Sequence, residues 1–230
     1  MSAATVTTAT KNEPAANTLE RLVERAISAG AKHEQALVRK VTRKHPDATP
    51  ADLVALLEQR YRRRVGRLSG LVGLSAAVPG IGTGVAALLT TVNLASFLRD
   101  TTTFVGAVAH VHGVAVDDVA RRRTLLLASL LGDDGARAVH EKLGPSTLYW
   151  GRGLLTRLPL GTVRAVNKGL SRRLVRAATT KGSAVLLGRL APFGVGALIG
   201  WWAGRRLATQ VVNGTRDAFG PPPGSTPGQG

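Results

Sequence analysis

The chain has 230 residues and a formal net charge of +17, with 31 Lys and Arg against 14 Asp and Glu. It carries no cysteine, which excludes disulfides, thiolate metal sites and cysteine nucleophiles. The length suits one domain with tails, and with aromatics at only 4% the core must be built from Leu, Val, Ala and Gly. So large a basic surplus points to a polyanionic partner, either nucleic acid or an anionic membrane face.

Residues 1–16 are rich in Thr and Ala and lack periodicity, which predicts a disordered tail. They contain no apolar signal-peptide core, so the cytoplasm is the expected compartment. Residues 17–20 predict a capping box, after which Leu19, Leu22, Val23, Ala26 and Ile27 recur at helical spacing. Gly30 is expected to end or bend this helix, and Leu37, Val38 and Val41 extend its apolar face toward His45-Pro46. Thr49-Pro50-Ala51-Asp52 predicts a fresh start: an N-cap, a proline in the first turn and an acid at the positive end of the dipole. Leu53, Leu56, Leu57 and Tyr61 share one face of that helix, which runs into Arg60, Arg62, Arg63, Arg64 and Arg67. The arginines read either as a solvated helix end or as a headgroup contact, where each is worth about 1 kcal/mol on an anionic leaflet.

Residues 68–98 form the stretch around which the chain is organised: 31 positions without a charge. Leu, Ile, Val and Phe fill only 13 of the 31, and Pro79-Gly80 interrupts the run, so a simple membrane span is disfavoured. The pattern predicts two helices meeting at a PGIGTG corner, with Gly80, Gly82 and Gly84 removing bulk so that backbones approach closely. Such a hairpin can be buried in protein or can enter a bilayer, and both readings stay open.

Beyond it, Phe104, Val105, Val108 and Val111 mark one apolar face. Val116-Asp117-Asp118 predicts a helix start, Gly132 a C-cap, and Asp133-Asp134 a short helix ending at Leu143. From residue 142 to 216 there are 13 basic residues and no acidic one. Within this region Arg164, Lys168, Arg172 and Arg176 stand four apart and form one helical ridge, flanked by Val163, Val166, Leu170 and Leu174. A basic amphipathic helix of this kind binds membrane surfaces, acidic partners or nucleic-acid phosphates.

Residues 190–204 are again uncharged, with Gly196, Gly200 and Gly204 forming two G-x-x-x-G steps. Trp201-Trp202 and then Arg205-Arg206 follow the apolar-to-polar order of an interface anchor. The run has 15 residues and contains Pro192, too short to span a bilayer. VPGIGTGVA at 78–86 is echoed by APFGVGALI at 191–199 and more faintly by LPLGTVRAV at 158–166, each a proline and glycine followed by an apolar helix. Residues 220–230 read as a disordered Pro/Gly tail, leaving 17–219 as one helical domain.

No enzyme is expected. Gly84 is followed by Val85, so PGIGTG is not a P-loop, and no strand–glycine–helix dinucleotide fingerprint fits. His110 and His112 are two apart and face different ways on a helix, so no metal or other cofactor is expected. Nucleic-acid binding remains an alternative on charge alone, although stacking aromatics are scarce.

AVPGIGTG at 77–84, PFGVGALIG at 192–200 and DAFG at 217–220 resemble the EcsC-like family over residues 50–220. The resemblance implies a helical, membrane-associated bacterial protein and carries no activity with it. Many members place an asparagine shortly after the closing Ile-Gly pair, where this chain has Trp201, Trp202, Ala203 and Gly204. The expectation is therefore an all-α protein of helical hairpins packed through glycine-rich segments, attached to the inner face of a membrane and accessory to transport or envelope processes. Arg62, Arg63, Arg64 and the ridge would lie on headgroups, with Trp201, Trp202, Arg205 and Arg206 as the anchor. The alternatives are a nucleic-acid-binding protein and a soluble helical scaffold.

Overall fold

The computed structural model describes the backbone of residues 7–75, 83–114, 116–144, 149–188 and 195–224, and side chains over 17–69, 92–114, 116–144, 149–176, 202 and 204–224. The described residues form eight helices and no strand: α1 (Thr7–Lys44), α2 (Pro50–Ser75), α3 (Thr83–Val111), α4 (Val119–Leu131), α5 (Asp133–Leu143), α6 (Trp150–Thr156), α7 (Leu160–Gly188) and α8 (Val195–Phe219). The all-α class is as the periodicity predicts.

Among the described residues after 44, the expected starts of α2 and α4 and the break at Gly132 are where local chemistry places them. Thr49 and Asp52 cap α2 reciprocally: the Thr49 N–H and Oγ1 donate to Asp52 Oδ2 at 3.0 and 2.7 Å, and the Asp52 N–H donates to Thr49 Oγ1 at 3.2 Å. Asp118 caps α4 by accepting from the Arg121 N–H at 2.9 Å. Gly132, at φ 58°, separates α4 from α5, a conformation that side-chain-bearing residues seldom adopt. Pro159 directly precedes α7, the one proline–glycine corner of the three that falls among described residues. The corners holding Gly80 and Gly82, and Pro192, lie outside them, as do residues 1–6 and 225–230.

The first helix differs from expectation. α1 begins at Thr7, so Asn17 sits inside the helix, where its carbonyl accepts from Arg21 Nε, and it is no N-cap. Gly30 does not end α1, which runs on to Lys44. A Cβ there would stand 2.6 Å from Thr102 Cβ, so this glycine lets α1 and α3 approach closely. That gain offsets the roughly 1 kcal/mol a mid-helix glycine costs.

Paired contacts give the topology. Gly30 meets Thr102 while Glu34 meets the Gly106 and Arg122 region, so α1 and α3 run parallel. Tyr61 with Thr101 (2.8 Å) and Arg64 with Asp100 (2.5 Å) make α2 and α3 antiparallel. Glu58 with Arg216 and Ser69 with Gly204 make α2 and α8 antiparallel. On the other side, α4 rests on α8 through Leu130 and Gln210 (2.8 Å) and on α7 through Thr124 and Asn167 (2.9 Å). Gly151 of α6 lies against Ala218 of α8. The core so enclosed contains Leu57, Leu98, Leu125, Leu126, Leu127, Trp150, Leu154, Leu170 and Phe219, all buried, with Tyr61 stacked on Phe104 at 4.6 Å between ring centres.

A basic-walled groove and an uncharged end

The ridge Arg164, Lys168, Arg172 and Arg176 lines one wall of a groove of about 970 Å³ between α1, α4 and α7. The four stand on the outer side of α7 because Val163, Val166 and Leu170 are buried on its inner side. All four are exposed, and the predicted split of the helix into basic and apolar faces is realised. Leu19 and Val23 of α1, Val119 and Leu127 of α4, and Leu174 of α7 supply apolar lining. Val119 is the most exposed large hydrophobe described, at 68%.

The opposite wall has the other sign. Arg123 of α4 donates to Glu20 Oε1 at 2.6 Å and to Ser171 Oγ at 3.2 Å, and lies 3.6 Å from Glu24. The carboxylates of α1 thus take up Arg123, while no described carboxylate pairs with Arg164, Lys168 or Arg172. At the base, Asn167 receives the Thr124 hydroxyl and donates to the Ala120 carbonyl at 2.8 Å, which locks α7 to α4. Sequence reasoning missed Arg123, Asn167 and the apolar lining from α1 and α4. Nothing in the chain's spacing tells which helices will face the ridge.

The α2 arginines divide. Arg64 is held by Asp100 and Arg62 stands 3.6 Å from the buried Glu58, whereas Arg63 is exposed with no described carboxylate partner. Arg62 and Arg64 are therefore partly committed to intramolecular pairs, which lowers the charge they can lend to an external anion.

The described margins of the two uncharged stretches meet where α2 and α8 cross. Gly204 of α8 lies so close to Ser69 of α2 that a Cβ would fall 2.5 Å from Ser69 Cβ. Beyond this crossing α2 continues to Ser75, α8 arrives from Val195, and α3, antiparallel to α2, arrives from Thr83. Gly84, Gly196, Gly200 and Trp201 belong to these helical segments, but their side-chain surroundings lie outside the described residues. Around the crossing Arg67, Trp202, Arg205 and Arg206 are exposed, and the Arg206 guanidinium stands 5.2 Å from the centre of the Trp202 ring. No described helix is long and apolar enough to cross a membrane.

His112 is buried, with Nδ1 2.9 Å from the Val108 carbonyl and Nε2 3.2 Å from the Gly220 carbonyl, while His110 is exposed. The two histidines do not converge. Among the described residues no cluster of His, Asp or Glu is arranged to hold a metal ion. No protein-family model, no curated protein and no solved structure matches the chain.

Proposed function

We propose that the protein is a non-enzymatic, membrane-associated helical protein that docks the α2–α8 end on the anionic, cytoplasmic face of a bilayer. The observation that carries this reading is the Ser69–Gly204 crossing. It gathers residues 70–75, the start of α3 and the first turns of α8, all drawn from uncharged sequence, at one end of the molecule. Exposed Arg67, Arg205 and Arg206 and the 58%-exposed Trp202 stand around that end. An uncharged tip ringed by arginine and tryptophan matches the order of a bilayer surface, with hydrocarbon innermost and phosphates and interfacial water outside. The tip enters the interface without spanning. The resemblance to the EcsC-like family points the same way, and an accessory role in transport or envelope processes fits such a location.

Vesicle sedimentation tests the proposal. Wild type is expected to pellet with vesicles containing anionic phosphatidylglycerol and to stay in the supernatant with neutral phosphatidylcholine. Raising salt from 0.1 to 1 M shortens the Debye length from about 10 to about 3 Å and releases part of it. Arg205→Glu/Arg206→Glu should bind at least about tenfold more weakly, given roughly 1 kcal/mol per basic residue at the surface. Wild type that ignores anionic vesicles at low salt, or that binds duplex DNA with no vesicle binding, would sink the reading.

A further inference from the structure

We propose that the groove between α1, α4 and α7 docks an acidic amphipathic helix of a partner protein. The three features that select this occupant are the spacing of the cations, the apolar lining and the polarity of the two walls.

Arg164, Lys168, Arg172 and Arg176 are four residues apart on one helix, so their Cα atoms step by about 6 Å and the row extends about 18 Å. A single lipid headgroup or free phosphate engages one or two such cations and leaves the others idle. A nucleic-acid strand follows the row, but it leaves Leu19, Val23, Val119, Leu127 and Leu174 uncovered and runs beside the Glu20 and Asp118 carboxylates that line the groove. A helix with Glu or Asp at i, i+4 and i+8 repeats the 6 Å step, so its acids meet the row in register. Apolar residues on its neighbouring stripe then cover the groove's lining, the usual manner of helix-in-groove recognition. The acidic wall sets the rotation of the guest: its carboxylates must face α7, because the α1 side already holds Glu20 and Glu24 against Arg123.

The direction of the row separates this site from the proposed membrane end. α7 starts beside α6, which packs on the last turns of α8 through Gly151 and Ala218. Farther along, Arg173 donates to the Asp134 carbonyl at 3.0 Å, and Asp134 shares a cleft with Trp202, Arg205 and Arg206. The row therefore runs lengthwise up the flank toward the uncharged end. Arg164 lies about 18 Å behind Arg176, well over the ~8 Å Debye length at physiological salt, and is screened from a bilayer docked there.

The test uses the full chain and two fluorescent 16-residue peptides. One is an amphipathic helix with a Glu row at four-residue spacing beside a Leu stripe. The other is a scramble of equal composition and charge. In fluorescence anisotropy at 0.15 M salt, the amphipathic peptide is expected to bind at least tenfold more tightly than the scramble. Arg164→Glu/Lys168→Glu/Arg172→Glu should lose at least tenfold, and should recover binding to a peptide whose Glu row is changed to Lys. That rescue shows that the variant is folded. Val119→Asp places an acid in the groove at an exposed site and should weaken the peptide severalfold with unchanged helicity. Equal binding of the scramble, full binding by the triple variant, or displacement of the peptide by anionic vesicles but not by an unlabelled copy of it, would each overturn the proposal.

Discussion

Arg216 holds the Glu58 carboxylate by two hydrogen bonds, Nε to Oε1 at 2.7 Å and Nη2 to Oε2 at 2.6 Å, across the α2–α8 interface. The Glu58 side chain is only 5% exposed, whereas that of Arg216 is 59% exposed. The hydrogen bond to Glu58 raises the Arg216 pKa, so the guanidinium stays charged. Both helices lead to the uncharged end, and this pair anchors them at the opposite level.

Removing Arg216 leaves a buried carboxylate with only the looser Arg62 contact at 3.6 Å. Arg216→Ala is expected to lower stability by about 1–3 kcal/mol, below the cost of breaking a fully buried pair because Arg216 is itself solvated and Arg62 stands by. Glu58→Gln should cost less, since it removes the charge along with its need for a partner. Glu58→Leu/Arg216→Met should regain most of the loss. Urea unfolding of the four proteins decides it, and a wild-type midpoint for Arg216→Ala would show that the pair contributes nothing.

Glycines in this fold should respond in opposite directions. Gly135 packs on the α4 backbone, with a Cβ falling 2.6 Å from Ala128 Cα, and Gly204 meets Ser69 at 2.5 Å. Gly135→Ala and Gly204→Leu are expected to destabilise by about 1–3 kcal/mol or more, because over-packed backbone must move. Gly169, in mid-α7, has nothing within 4 Å of an added Cβ. Gly169→Ala should therefore stabilise by about 0.5–1 kcal/mol through helix propensity alone. Thermal melts of the three variants compare the signs directly.

Asp52 titrates against the α2 cap. Its pKa is lowered, first by the Thr49 hydroxyl and then by the Thr49 N–H. A depressed carboxyl contributes stability that is complete above its ordinary value near 4 and is lost as pH falls through the lower folded value. Hydrogen exchange in the first turn of α2 should accelerate, relative to the chemical rate, as pH drops below about 4. Asp52→Asn, which cannot titrate, should show no such pH step, and an identical step in both proteins would rule the cap out as its source.

Trp202 is the natural probe for the proposed membrane docking. Trp150 is fully buried and Trp202 is 58% exposed. Anionic vesicles should shift tryptophan emission to the blue, and Trp202→Phe should reduce the shift while leaving the melting temperature within about 1 °C, as expected for an exposed site. An undiminished shift in Trp202→Phe would place the responding ring elsewhere.

The local sequence determined the elements that depend only on neighbouring residues. The Thr49–Asp52 cap, the Asp118 cap, the Gly132 break and the two faces of α7 follow from hydrogen-bonding groups and apolar spacing within a few residues, so they were legible in advance. The same local reasoning misread Gly30, because propensity counts the cost of a glycine and cannot see Thr102 arriving from 72 residues away. The ridge was visible as four charges at helical spacing. Its facing wall of Leu19, Val23, Val119 and Leu127 required α1 and α4 to be brought beside α7. Partner choice among the charges was tertiary as well. Arg64 is paired with Asp100 and Arg216 with Glu58 through contacts 36 and 158 residues apart. Such long-range pairs are set by which helix faces pack together, since hydrophobic burial is non-directional and the charges take whatever neighbours the packed core leaves them.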